Sequence, residues 1–122
     1  MKYRKFSNLN WNVSEIGLGC WGIGGNWDDV KDDEAMSVLK RSLEKGVNFF
    51  DTSDVYGDGR SEKFLGKLIK STSEKIYVAT KTGQRIRPYI PEGYNIKNLE
   101  KFIDRSLINL DVECIDLLQL HC

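Results

Sequence analysis

Four side chains in this sequence could together deliver a proton to a reacting oxygen: the carboxyl of Asp51, the phenol of Tyr56, the amine of Lys81 and the imidazole of His121. A phenol is a poor acid in neutral water. A nearby ammonium stabilises the phenolate that remains when the proton leaves, and Lys81 would supply it. Asp51 would keep that ammonium charged and aimed, and His121 could hydrogen-bond a substrate carbonyl. A hydride delivered to the carbonyl carbon creates an alkoxide-like oxygen, which Tyr56 would protonate as general acid. Each residue also has an ordinary reading: Asp51 as a turn-former, Tyr56 as a packed loop residue, Lys81 as a solvated strand end, His121 as a structural histidine. Their joint placement is what points to one cleft.

That placement depends on the elements that carry them. Lys2–Phe6 and Trp11–Val13 flank a polar turn and predict a short β-hairpin. Glu15–Gly19 reads as the first core strand, and a loop rich in glycine and tryptophan runs on to Asp28-Asp29. Asp32 or Asp33 is expected to cap a first helix with Ala35, Val38, Leu39 and Leu43 on one face, stopped by Gly46. Val47–Asp51 is the second strand, and Ser61 is expected to cap a helix that buries Phe64, Leu65, Leu68 and Ile69. Lys75–Lys81 is the third strand, and a third helix carries Leu99, Phe102, Ile103, Leu107 and Leu110 along one side. Cys114–His121 reads as the fourth strand. Strands recur about every 30 residues, the size of a βαβ unit. Alternation of this kind predicts a parallel sheet covered by helices, with reactive groups at the carboxyl ends of its strands. Asp51, Lys81 and His121 stand at three such ends, and Tyr56 follows directly after the first.

Composition narrows the partners. Eighteen basic and eighteen acidic residues cancel, so charge gives no reason to expect nucleic acid or an anionic membrane. No apolar run approaches a membrane span, and the first residues lack the pattern of a signal peptide. Cys20, Cys114 and Cys122 are an odd set with no C-x-x-C pair and read as reduced thiols of a cytoplasmic protein. One histidine and no ligand spacing speak against a metal site.

The chain resembles the aldo-keto reductase family. The resemblance lies in Val13–Trp21, Gly46–Gly57, Val78–Lys81, Ser106-Leu107 and Ile115–His121, and covers essentially the whole sequence. It implies the N-terminal half of a (β/α)8 TIM barrel preceded by a short β-hairpin, with residues 1–122 forming one partial barrel of four strands and three helices and no second domain. It further implies NADPH as hydride source, a small carbonyl substrate, and a catalytic tetrad that falls on Asp51, Tyr56, Lys81 and His121. Gly19, Cys20 and Trp21 match the stretch that lies near nicotinamide and substrate in that family, and Asp51 stands beside them. The departure is length. A full barrel needs roughly 250 residues, and the family takes most phosphate and adenosine contacts from later strands. The open edges of a half-barrel invite self-association.

Two other readings compete. Gly17-Leu18-Gly19-Cys20-Trp21-Gly22 matches the dinucleotide fingerprint G-x-G-x-x-G, but the loop runs on where that fingerprint opens a helix. The chain could also be a non-catalytic half-barrel that assembles or binds a partner. The Arg85–Tyr89 loop could touch substrate, cofactor or a neighbour, and a solvated loop is the simpler expectation.

Overall fold

A computed structural model describes residues 1–25 and 29–122. The part of the expected glycine- and tryptophan-rich loop at 26–28 lies outside the described residues. Strands β1 (Tyr3–Phe6) and β2 (Trp11–Ser14) pair antiparallel as the predicted hairpin, around a single 3-10 turn at Ser7–Leu9. Then follow β3 (Leu18–Gly19), α1 (Asp32–Glu44), β4 (Phe49–Asp51), α2 (Arg60–Lys70), β5 (Tyr77–Thr82), α3 (Ile96–Leu110) and β6 (Leu117–Leu120). Among the described residues, β3-β4-β5-β6 form one parallel sheet in chain order, as the alternating pattern predicts.

The hairpin is fastened to the amino-terminal ends of the sheet strands. Trp11 stacks on Tyr77, the first residue of β5, with ring centroids 4.8 Å apart. Just before β4, the Asn48 side chain accepts from the Ser14 N–H at 2.8 Å and donates to the Asn12 carbonyl at 2.9 Å. The core lies between sheet and helices, where Phe50, Leu39, Leu65, Leu68 and Leu110 are fully buried.

Several local expectations differ from what forms. The first core strand pairs only over Leu18–Gly19, because the Ser14 hydroxyl bonds the Ile16 carbonyl and turns the chain before it reaches the sheet. Lys31, not Asp32 or Asp33, precedes α1, and its N–H is accepted by the Glu34 carboxylate. Val38, expected on the buried face of α1, is half exposed. Gly59, in the left-handed region at φ 90°, precedes α2 in place of Ser61. The Ser61 hydroxyl is buried instead and donates to the Cys20 carbonyl at 3.0 Å, tying α2 to the loop after β3.

Candidate active site

Parallel pairing sets the site. Asp51, the last residue of β4, is in register with Ala79, so Lys81 of β5 stands two residues further toward the carboxyl end. Lysine can bridge that offset with its four-carbon stem. The Lys81 ammonium donates to Asp51 Oδ1 at 2.6 Å and to the Thr52 carbonyl at 2.8 Å. It also donates to Tyr56 Oη at 3.4 Å and lies 5.0 Å from the centre of the tyrosine ring. The Lys81 side chain is mostly covered, whereas Asp51 is more open at 39% exposure.

His121 follows β6 and is held there by its own N–H, which donates to the Thr82 carbonyl at 2.7 Å. Its ring meets that of Tyr56 edge-on at 6.2 Å. Burial holds the imidazole below its ordinary value; the Lys81 charge adds to this and the Asp51 charge opposes it. Trp21 also stands beside the phenol, 6.3 Å between rings. Trp21, Val55, Tyr56, Gln84 and His121 line an open cleft of about 480 Å³. All four residues of the expected tetrad thus meet at one end of the sheet.

The stretch 19–21 divides. Trp21 is 43% exposed and faces the cleft, and a side chain at Gly19 would meet open space. Cys20 is not brought to the cleft surface. It is fully buried, and burial pushes its thiol up to about 12, with Asp51 reinforcing and Lys81 opposing. Its backbone N–H donates to the Asp51 carbonyl at 2.8 Å, so Cys20 links the ends of β3 and β4. The G-x-G-x-x-G match does not open an α-helix: Gly22–Gly24 make a single 3-10 turn.

The loop that presents Tyr56 is fixed by residues the sequence did not single out. Thr52, Ser53 and Asp54 are fully buried. Arg85 reaches Asp54 Oδ2 at 3.2 Å, donates to the Asp54 carbonyl at 2.8 Å and pairs with Asp58. Arg105 of α3 donates to the Asp58 carbonyl at 2.7 Å and to its carboxylate at 3.0 Å. Arg85 is therefore an internal clamp and not the solvated loop residue expected. The hydrogen bond from Arg85, with the Arg105 and Arg85 charges, holds the Asp58 carboxyl below its usual range, while burial pushes Asp54 up against the pull of Arg85. Ser53 Oγ lies 3.0 Å from His121 Nδ1. Below the loop, Glu62 is fully buried and accepts from Thr80 at 2.7 Å and from Asn109 at 2.8 Å. A backbone-to-backbone contact completes the assembly. Gly57 has φ 59°, and a Cβ there would fall 2.1 Å from the Gly24 carbonyl oxygen.

Comparison with known proteins gives a consistent picture. The model of the Aldo/keto reductase family matches residues 15–122. A probable aldo-keto reductase of Glycine max is 37% identical, over 96% of this chain and 35% of its own length. An aldo-keto reductase of Schizosaccharomyces pombe, whose name specifies NADP(+), is 34% identical, over 92% of this chain and 34% of its own length. Among solved structures, the holo form of an aldo-keto reductase from Bacillus halodurans superposes with a TM-score of 0.80 at 31% identity, covering 99% of this chain and 40% of that one. The chain therefore spans well under half the length of these relatives.

Proposed function

This chain belongs to the Aldo/keto reductase family, and on that premise we propose that it carries the proton-donating machinery of an NADPH-dependent reductase of small aldehydes and ketones. The observation that carries the reading is the position of the Lys81 ammonium, 2.6 Å from Asp51 Oδ1 and 3.4 Å from Tyr56 Oη. As Tyr56 releases its proton to the substrate oxygen, the charge left on the phenol forms beside a cation already in place, so little reorganisation is needed. Asp51 and the Thr52 carbonyl take two of the three ammonium protons and leave the third for the phenol. His121 and Trp21 both lie beside the phenol and would bound the space that the carbonyl enters.

The nicotinamide cofactor would supply the hydride. The open space at Gly19, the exposed Trp21 and the half-open Asp51 carboxylate fit a flat ring at this rim. Cys20 would contribute through its backbone alone. The name of the Schizosaccharomyces pombe relative supports the choice of nucleotide. Contacts to the rest of the nucleotide are assigned to strands following His121 in a whole barrel, so the 122-residue chain by itself should bind NADPH weakly or not at all. A fluorescence titration giving micromolar affinity would contradict that assignment. Residues 1–122 are read as one partial barrel, and the unpaired cysteines accord with a cytoplasmic setting.

The test is NADPH oxidation with a panel of small aldehydes and ketones by the full-length protein that contains this chain. Tyr56→Phe should lower kcat by about 10²- to 10⁴-fold, the range of a lost general acid, with circular dichroism unchanged. Undiminished turnover in the variant would refute the assignment. A second reading, a half-barrel that assembles with another copy, is favoured by the outer strands β3 and β6, where Leu118 and Leu120 remain exposed. Sedimentation of the 122-residue chain as a monomer would remove it.

A further inference from the structure

Ser53 lies between two groups that compete for its single proton. Its Oγ is 3.0 Å from His121 Nδ1 and 3.2 Å from Asp54 Oδ1, and the residue is fully buried. A carboxylate can only accept, whereas a neutral imidazole has one nitrogen that donates and one that accepts. Asp54 is enclosed by positive charge. Arg85, after β5, reaches its Oδ2 at 3.2 Å, and Arg85 and Arg105 both donate to its carbonyl, at 2.8 and 3.4 Å. Burial opposes its ionisation, and Glu62 of α2 is the acidic group that adds to that opposition. Lys81 and Asp51 are the charged groups facing His121.

With Asp54 ionised beside Arg85, the Ser53 hydroxyl proton belongs to Oδ1, and a Ser53 lone pair is left facing Nδ1. A lone pair at 3.0 Å from a ring nitrogen is favourable only if that nitrogen carries a proton. We propose that Ser53, oriented by Asp54, is a positioning residue that fixes neutral His121 as its Nδ1–H tautomer. The inference relies on the reading above only for the presence of His121 at the reacting carbonyl. Its consequence there is a division of labour. Nε2, on the far edge of the ring, has no proton to offer, so neutral His121 accepts a hydrogen bond from an alcohol O–H instead of donating to a carbonyl. Tyr56 is then the group that donates to the carbonyl oxygen.

His121 is the one histidine of these 122 residues, so ¹⁵N-histidine labelling of the 122-residue chain yields a single imidazole. Long-range ¹H–¹⁵N correlation at about pH 8, above the ordinary imidazole range, distinguishes the protonated nitrogen from the bare one. The expected result is protonated Nδ1 and bare Nε2; the reverse pattern overturns the proposal. Ser53→Ala should release the ring to the Nε2–H form that free histidine prefers in water, and an unchanged Nδ1–H pattern in that variant removes Ser53 from the role. If Ser53→Ala does not fold, a nuclear Overhauser contact in the unaltered chain between the Nδ1 proton and the Ser53 β-protons decides the matter; its absence counts against the proposal. No substrate or cofactor enters the measurement, so its outcome is independent of whether the protein reduces carbonyls.

Discussion

The loop after β4 and the loop after β3 both lean over the cleft, but they are secured in different ways. The first carries Tyr56, and its carboxylates are gripped by Arg85 and Arg105 from later elements. The second carries Trp21 and is spanned by an arginine of α2: Arg60 donates to the Ile23 and Val30 carbonyls, each at 2.7 Å. Tyr56, the residue proposed as proton donor, thus stands on a segment gripped through its carboxylates, and Trp21 on a segment gripped through its backbone carbonyls. A general acid must be placed to within a fraction of an ångström, whereas a wall tolerates change.

Substitutions can break this contrast in graded steps. Gly57→Ala, which forces the two loops apart where their backbones touch, should cost about 4 kcal/mol by chemical denaturation, combining left-handed strain with a backbone clash. Arg85→Met leaves the Asp54 carboxylate buried without its partner and should cost about 3 kcal/mol. The matching change in the other loop, Arg60→Met, should cost about 2 kcal/mol, since it removes two charge-assisted bonds to carbonyls without stranding a buried charge. Equal losses for the two arginines would erase the distinction. Trp21→Ala should shift stability by less than about 1 kcal/mol, as for other half-exposed positions, while raising KM in the full-length protein more than it lowers kcat.

Titration sharpens the comparison without large energies. His121 should titrate below the ordinary imidazole value by NMR; Lys81→Met should raise it and Asp51→Asn lower it further. A base depressed in the folded state binds fewer protons there than in the unfolded chain. Its contribution to stability is therefore complete above the ordinary value and fades as pH falls through the folded one. Cys20 should resist thiol reagents until the chain unfolds, while Cys114 and Cys122 react at once.

Much of this was legible in the residues. Apolar runs with β-branched and aromatic members marked β5, and spacing of three and four marked α2 through Phe64, Leu65 and Leu68. The four polar groups at strand ends could be gathered because parallel topology puts such ends together. What escaped was the buried polar layer. Ser53 and Asp54 interrupt no periodicity, Glu62 looks like an ordinary acidic residue in the first turn of a helix, and Ser61 looks like a cap. Their partners, among them Thr80, Asn109 and Arg85, are 18 to 47 positions away or belong to another element, and local pattern does not reach that far. A signal was present in Thr80, a hydroxyl directly after the apolar run Tyr77-Val78-Ala79 inside β5, which asks for a distant partner.

The stacking of Trp11 on Tyr77 and the Asn48 bonds put the hairpin at the pole of the molecule farthest along the strands from Lys81 and His121. Its turn at Ser7–Leu9 is accordingly a place to attach a dye, an affinity handle or a surface tether. Such an addition would report on or immobilise the protein while the cleft stays facing the solution.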